Sequence, residues 1–222
     1  MATYRKLQVF TKTTDFKQAV KLVEAPLVEP AADRIRVKQL YAGVNATDIN
    51  ITAARYFTDG KLPFDIGLEG LGLVDAIGAD IPAGKFKVGQ AVLVSDRANA
   101  QGFSEYVYKA PEALIPVPSA DPKYLVSLVN GLTAAIALDK AGRVQKGDKV
   151  LVTAAAGGTG QIVVQWAKQR GAYVIGLTST SAKAEYLKTI GADYVINYRE
   201  QDLDKVLTEQ FPEGVDVIWE TI

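Results

Sequence analysis

Residues 149–167, KVLVTAAAGGTGQIVVQWA, carry the pattern with the clearest chemistry. Lys149 to Val152 predict a short buried strand, mostly apolar and β-branched after the Gly147-Asp148 turn. Ala154 to Gly160 is a run of small residues. Gln161 to Arg170 predict a helix with Ile162, Val163, Trp166 and Ala167 on one face. Strand, glycine turn and helix are the setting of a dinucleotide-binding fingerprint, in which backbone N–H groups at a helix N-terminus close on a pyrophosphate. The spacing is Ala155-x-Gly157-x-x-Gly160, so alanine stands where the first glycine is usual. The alternative is a tight strand-to-helix turn of a parallel sheet that holds no ligand.

A second strand, Ala172 to Leu177, predicts which dinucleotide. In an NAD-binding unit this strand ends in an acid that holds the ribose hydroxyls. Here it ends in Thr178-Ser179-Thr180-Ser181, with Lys183 just beyond and no carboxylate before Glu185. Hydroxyls with a lysine suit a 2′-phosphate, which an acid would repel. The pattern therefore argues for NADP over NAD, with Ser179 and Lys183 as its readers. The alternative is that Ser181 caps a helix and Lys183 is a solvated charge.

Composition excludes other chemistry. The chain has 222 residues, 48% hydrophobic and 23% charged, enough for one large or two small domains. Its 25 basic and 25 acidic residues cancel, so nothing points to nucleic acid or an anionic membrane as partner. The longest apolar stretches read as interrupted short of a membrane span. The N-terminus lacks the features of a signal or transit peptide. There is no Cys and no His. Disulfides, Ser-His-Asp and Cys-His catalysis, and zinc sites of the Cys/His type are thereby excluded, and no acidic cluster suggests another metal.

Two regions must position these residues. Up to about residue 118 the chain predicts short strands broken by Pro and Gly, at 6–10, 20–24, 34–42, 70–77, 91–95 and 104–109, which suggests a small β-barrel. A helical stretch at 47–55, capped by Thr47, interrupts them. Pro116, Pro118 and Pro122 mark a change of regime, followed by a long helix from Pro122 to Ala141. Strands at 148–153, 172–177, 193–197 and 215–219 then alternate with helices at 161–170, 182–190 and 201–210. That alternation means a parallel sheet with right-handed crossovers. The expected division is 1–118 and 119–222.

With this order in place, AAAGGTGQ at 154–161, GADYVINY at 191–198 and EGVDVIWE at 213–220 resemble the medium-chain dehydrogenase/reductase superfamily, in its zinc-free quinone-reductase-like members. GVNATDIN at 43–50, RY at 55–56 and PFDIGLEGLG at 63–72 are closer to a prostaglandin-reductase branch acting on 15-oxoprostaglandins. The resemblance implies a GroES-like β-barrel domain followed by a Rossmann parallel sheet, here incomplete. It covers nearly all of the chain and would correspond to the first two thirds of a member. It predicts a piece of a longer functional polypeptide, unstable or self-associating alone. The Gly-His-Glu motif of the zinc alcohol dehydrogenases reads Gly67-Leu68-Glu69, and their nearby Cys falls at Val44-Asn45, so zinc does not carry over.

The resemblance also implies roles. Ala156, Gly157, Gly158, Thr159 and Gly160 would form the turn over the pyrophosphate of NADPH. Tyr198 would sit near the 2′-phosphate with Ser179 and Lys183, and Thr221 would touch the cofactor where the family has Ser. Asn45 and Tyr56 would be the catalytic donors from the barrel. The implied reaction is NADPH-dependent reduction of an α,β-unsaturated ketone or a quinone, with hydride passing to the β-carbon and hydrogen bonds holding the developing enolate. A protein that binds NADPH without turnover is the alternative. The expected partners are a small-molecule enone or quinone and, as an assembly, a homodimer. The expected location is cytoplasmic or peroxisomal.

Overall fold

The computed structural model describes residues 2–55, 60–96 and 99–221. The chain divides into two compact units, residues 1–129 and 130–222.

In the first unit, strands β1 (Thr3–Val9), β2 (Val20–Pro26) and β4 (Phe64–Asp65) form one antiparallel sheet in the order β2-β1-β4. Strands β3 (Ile35–Gly43), β5 (Glu69–Ile77), β6 (Ala91–Ser95), β7 (Tyr106–Lys109) and β8 (Leu114–Pro116) form a second, ordered β7-β3-β5-β6-β8. Alternation places Ile35, Val37, Val74, Val92, Val94, Val107 and Leu114 in one shared core. Strand β8 was not anticipated because it ends at Pro116. It lies at the sheet edge, where a missing backbone donor is tolerated. The two-residue β4 and the turn of helix Phe16–Ala19 were too short to leave a periodic signal.

The helix expected at 47–55 spans Ala46–Thr52, and its cap is Asn45 rather than Thr47. The Asp48 carboxylate accepts the Asn45 backbone N–H at 2.8 Å, fixing the first turn. Ala54, at φ 55°, lies beyond the helix end.

The long helix appears as Lys123–Gly142 and is not uniformly α-helical. Residues Lys123–Val126 and Leu132–Ile136 are α-helical; Ser127–Gly131 and Ala137–Gly142 are π-helical. Leu125 and Leu128 pack on Leu71 and Leu93 of the first unit, while Ala134 and Leu138 join the core of the second. At 20 residues and mean hydropathy 1.2, this is long and apolar enough to cross a membrane. That corrects the expectation that no apolar stretch reaches that length. The interruptions are only Ser, Asn and Thr, with charges near the ends. A packed core helix passes the same test.

The second unit holds β9 (Lys149–Val152), β10 (Tyr173–Thr178), β11 (Tyr194–Asn197) and β12 (Val217–Trp219), all parallel in the order β11-β10-β9-β12. Helices Gly158–Gln169, Ser181–Thr189 and Leu203–Gln210 connect them. The first of these begins three residues before its expected start. Glycines argue against a helix interior, yet Gly160 belongs there: a Cβ would overlap the Ala154 carbonyl oxygen. The last begins at Leu203 because Asp202 caps it, accepting the Lys205 N–H at 3.1 Å.

Candidate cofactor cleft and barrel pocket

In a parallel sheet the loops after the strand C-termini share one edge, where nucleotides bind. The loops after β9, β10 and β11 bound a cleft of about 180 Å³, lined by Ala154, Ala156, Gly157, Leu177, Thr178, Ser179, Lys183 and Tyr198. Five of the expected cofactor residues thus meet: Ala156 and Gly157 from the first loop, Ser179 and Lys183 from the second, Tyr198 from the third. Gly158, Thr159 and Gly160 form the first turn of helix Gly158–Gln169, whose leading N–H groups lack intrahelical acceptors. Ala154 bends the chain there with φ 43°. The absence of side-chain bulk lets a pyrophosphate reach those N–H groups, so the residues present fit a dinucleotide.

Further details escaped the sequence. The Thr159 hydroxyl donates to Asn130 Oδ1 at 2.7 Å, and a Cβ on Gly158 would stand 3.1 Å from Asn130 Nδ2. An anion at the turn would compete with Asn130 for the Thr159 proton. Thr180, not Ser181, caps helix Ser181–Thr189, accepting the Lys183 N–H at 3.3 Å. The Ser181 hydroxyl instead donates to Glu200 Oε1 at 3.0 Å. Ser181 is thus no cap, and Lys183 is an exposed residue at the rim of the cleft. Thr221 follows β12 and does not line the cleft; its N–H donates to Thr153 Oγ1 at 3.1 Å. Asn130 and Thr153 gave no signal because their partners lie far away in sequence.

The first unit carries an apolar pocket of about 550 Å³ lined by Leu7, Phe16, Val44, Asn45, Ala46, Asp48, Ile49 and Phe103. Asn45 is the polar residue at its wall expected from sequence. Its side-chain Nδ2 donates to Glu69 Oε1 at 3.0 Å, and Glu69 Oε2 accepts the Val129 N–H at 3.0 Å. Glu69 is 3% exposed and Asp48 1%. Burial pushes both carboxyls above the ordinary range; hydrogen bonds from Asn45 pull each back, and the charge of Asp48 raises Glu69 further. Tyr56 lies outside the described residues. No group of three or more potential metal ligands occurs among the described residues.

Comparison with known proteins agrees with this architecture. The alcohol dehydrogenase GroES-like domain matches residues 31–119, and the zinc-binding dehydrogenase family matches 158–222. The NADPH complex of a mycobacterial protein has 30% identity and a TM-score of 0.83, covering 99% of this chain and 67% of that one. The chain belongs to the medium-chain dehydrogenase/reductase superfamily, on its quinone-oxidoreductase-like branch. Among the relatives of this medium-chain protein, a probable quinone oxidoreductase of Leishmania amazonensis is 46% identical over 100% of this chain and 64% of its own length. Prostaglandin reductase-3 of Mus musculus is 43% identical over 99% of this chain and 58% of its own. The chain thus spans about three fifths of these two relatives. Its fold, a GroES-like β domain with a Rossmann-like parallel sheet, is the one the motifs implied.

Proposed function

We propose that this chain serves an NADPH-dependent reductase of α,β-unsaturated ketones, of the 15-oxoprostaglandin type, or of quinones, working without zinc in a cytoplasmic or peroxisomal setting. The observation that carries the reading is the cleft where Ala156, Gly157, Ser179, Lys183 and Tyr198 meet. NADPH, when bound, supplies the hydride for the β-carbon of an enone.

The residues do the rest. The first-turn N–H groups at Gly158, Thr159 and Gly160 hold the pyrophosphate. The Lys183 ammonium and Ser179 hydroxyl hold the 2′-phosphate, and the Tyr198 ring flanks it. The barrel pocket shelters an apolar substrate, and the Asn45 amide donates to the carbonyl oxygen on which negative charge gathers. Tyr56 is the second donor implied by the family likeness. With no His or Cys, the chain offers no Cys/His ligand set for zinc.

The test is a fluorescence titration with NADPH and with NADH, followed by oxidation of NADPH in the presence of an enone or a quinone. Tighter binding of NADPH and substrate-dependent oxidation are expected. Equal affinity for both coenzymes overturns the coenzyme assignment, and binding without oxidation reduces the reading to a nucleotide-holding role.

A further inference from the structure

Glu69 is a buried carboxylate with no role in the reading above. Its contacts are neutral: the Asn45 side-chain amide on one oxygen and the Val129 backbone N–H on the other, each at 3.0 Å. Among the described residues no cation forms an ion pair with Glu69, and its partners are a like charge and neutral groups. Helix Ala46–Thr52 presents Asp48, a like charge. Strand β3 presents Gly43, where a Cβ would overlap the carboxylate itself, and β6 pairs Ser95 with Glu69. A carboxylate kept out of water among neutral partners is costly unless it does something an apolar residue cannot. Here it fixes one amide rotamer. One Asn45 N–H is committed to Glu69, and the Asn45 backbone N–H is committed to Asp48 at 2.8 Å. The side-chain amide is therefore tied to Glu69, and the Asn45 backbone to Asp48, at the wall of the apolar pocket.

We propose that Glu69 is a positioning residue, which clamps the Asn45 amide so that its second N–H is aimed at a carbonyl oxygen in the barrel pocket. The proposal rests on the reductase reading for its substrate class. Glu69 itself stays out of contact with the substrate. Because burial raises the Glu69 carboxyl, protonation weakens the clamp at a higher pH than an ordinary glutamate would.

The experiment follows the side-chain amide of Asn45 by ¹H–¹⁵N NMR in the 222-residue chain and in Glu69→Gln, with 2-cyclohexenone as probe. In the wild-type chain the Asn45 signals should move with pH as Glu69 titrates, and should shift on adding the enone. In Glu69→Gln the part of the pH response due to Glu69 should vanish, leaving the part due to Asp48, which holds the Asn45 backbone N–H and which an Asp48→Asn control identifies. The enone affinity read at Asn45 should fall at least about tenfold. Turnover with NADPH should fall similarly in kcat, with NADPH affinity within about twofold of wild type. Glu69→Asp, which restores the charge but shortens the reach, should recover the lost part of the pH response and only part of kcat. A merely structural Glu69 would lower thermal stability and leave the Asn45 signals and kcat unchanged; that result overturns the proposal. Failure of the reductase reading looks different: the wild-type chain would oxidise no NADPH with any enone or quinone. Enone binding at Asn45 that depends on Glu69 would then still support the clamp, and binding insensitive to Glu69→Gln would overturn it.

Discussion

On the proposed reading, Lys183 is the residue that separates the two nicotinamide coenzymes. It lines the cleft together with Ser179, and among the described residues no carboxylate lines that cleft. A charge-assisted hydrogen bond is worth about 1.5–3 kcal/mol. Lys183→Ala should therefore weaken NADPH binding roughly ten- to a hundredfold and leave NADH binding nearly unchanged. Isothermal titration with both coenzymes checks this, and equal losses would remove Lys183 from the phosphate site. The absence of His and Cys yields a second expectation at this scale. NADPH oxidation should survive a strong chelator, and elemental analysis should find no stoichiometric zinc. One firmly held zinc per chain would demand ligands of another kind.

Among the elements, helix Gly158–Gln169 is packed tightly against the loop before it. A Cβ on Gly160 would overlap the Ala154 carbonyl oxygen, so Gly160→Ala must push helix and loop apart. Overpacking of this kind costs about 1–3 kcal/mol, and urea unfolding together with NADPH titration should show losses in both stability and affinity. Strands β1 and β4 supply a different test. Asp65 is half-buried, which pushes its carboxyl up, yet hydrogen bonds from Lys6, Gln101 and Gln8 bring it below the ordinary range. The Lys6 ammonium lies 2.8 Å from Asp65 Oδ1 and Gln8 Nε2 2.8 Å from the same oxygen. An acid lowered on folding stabilises above its unfolded value, about 3.9, and that stability is lost as pH falls through the folded value. Asp65→Asn should thus cost about 1–3 kcal/mol at neutral pH and flatten acid denaturation below pH ~4, measured by urea melts across pH. A variant with an unchanged acid limb would show that the network contributes nothing. The sequence revealed these elements unevenly. Alternating apolar residues exposed β3 and β6 almost to the residue, and small residues at fixed spacing exposed the glycine turn. Caps were less visible: Asn45 and Thr180 displaced Thr47 and Ser181, because capping depends on which neighbouring N–H turns toward the side chain. Contacts such as Asn130 with Thr159 or Glu69 with Val129 join residues far apart in sequence, and no local pattern announces them.

For the molecule as a whole, the proposed coenzyme cleft lies within the second unit. Ligand that binds only folded protein adds about 2.7 kcal/mol at a hundred times its Kd. Hydrogen exchange with NADPH at that excess should slow most in β9, β10 and the first turn of helix Gly158–Gln169, while β3, β5 and β6 keep their rates. Uniform slowing along the chain would count against a site confined to residues 130–222. The division at Val129 and Asn130 was hidden in the sequence for a physical reason. Prolines 116, 118 and 122 mark where strands stop, but Leu125 and Leu128 carry the chain on along the first core before it leaves.

Two kinds of residue meet at and beneath the cleft. Gly160 and Ala155 beneath it sit in close-packed backbone, whereas Lys183 and Tyr198 at its rim are exposed. If Lys183 and Ser179 read the coenzyme as proposed, coenzyme choice is uncoupled from foldability. Exchanging Lys183 and Ser179 for an acid and a small residue disturbs no core contact, so descent with modification can move such a protein between the cell's two pools of reducing equivalents through a handful of surface changes. The turn beneath has no such freedom, because a side chain on Gly160 would overlap the Ala154 carbonyl oxygen whichever coenzyme is preferred.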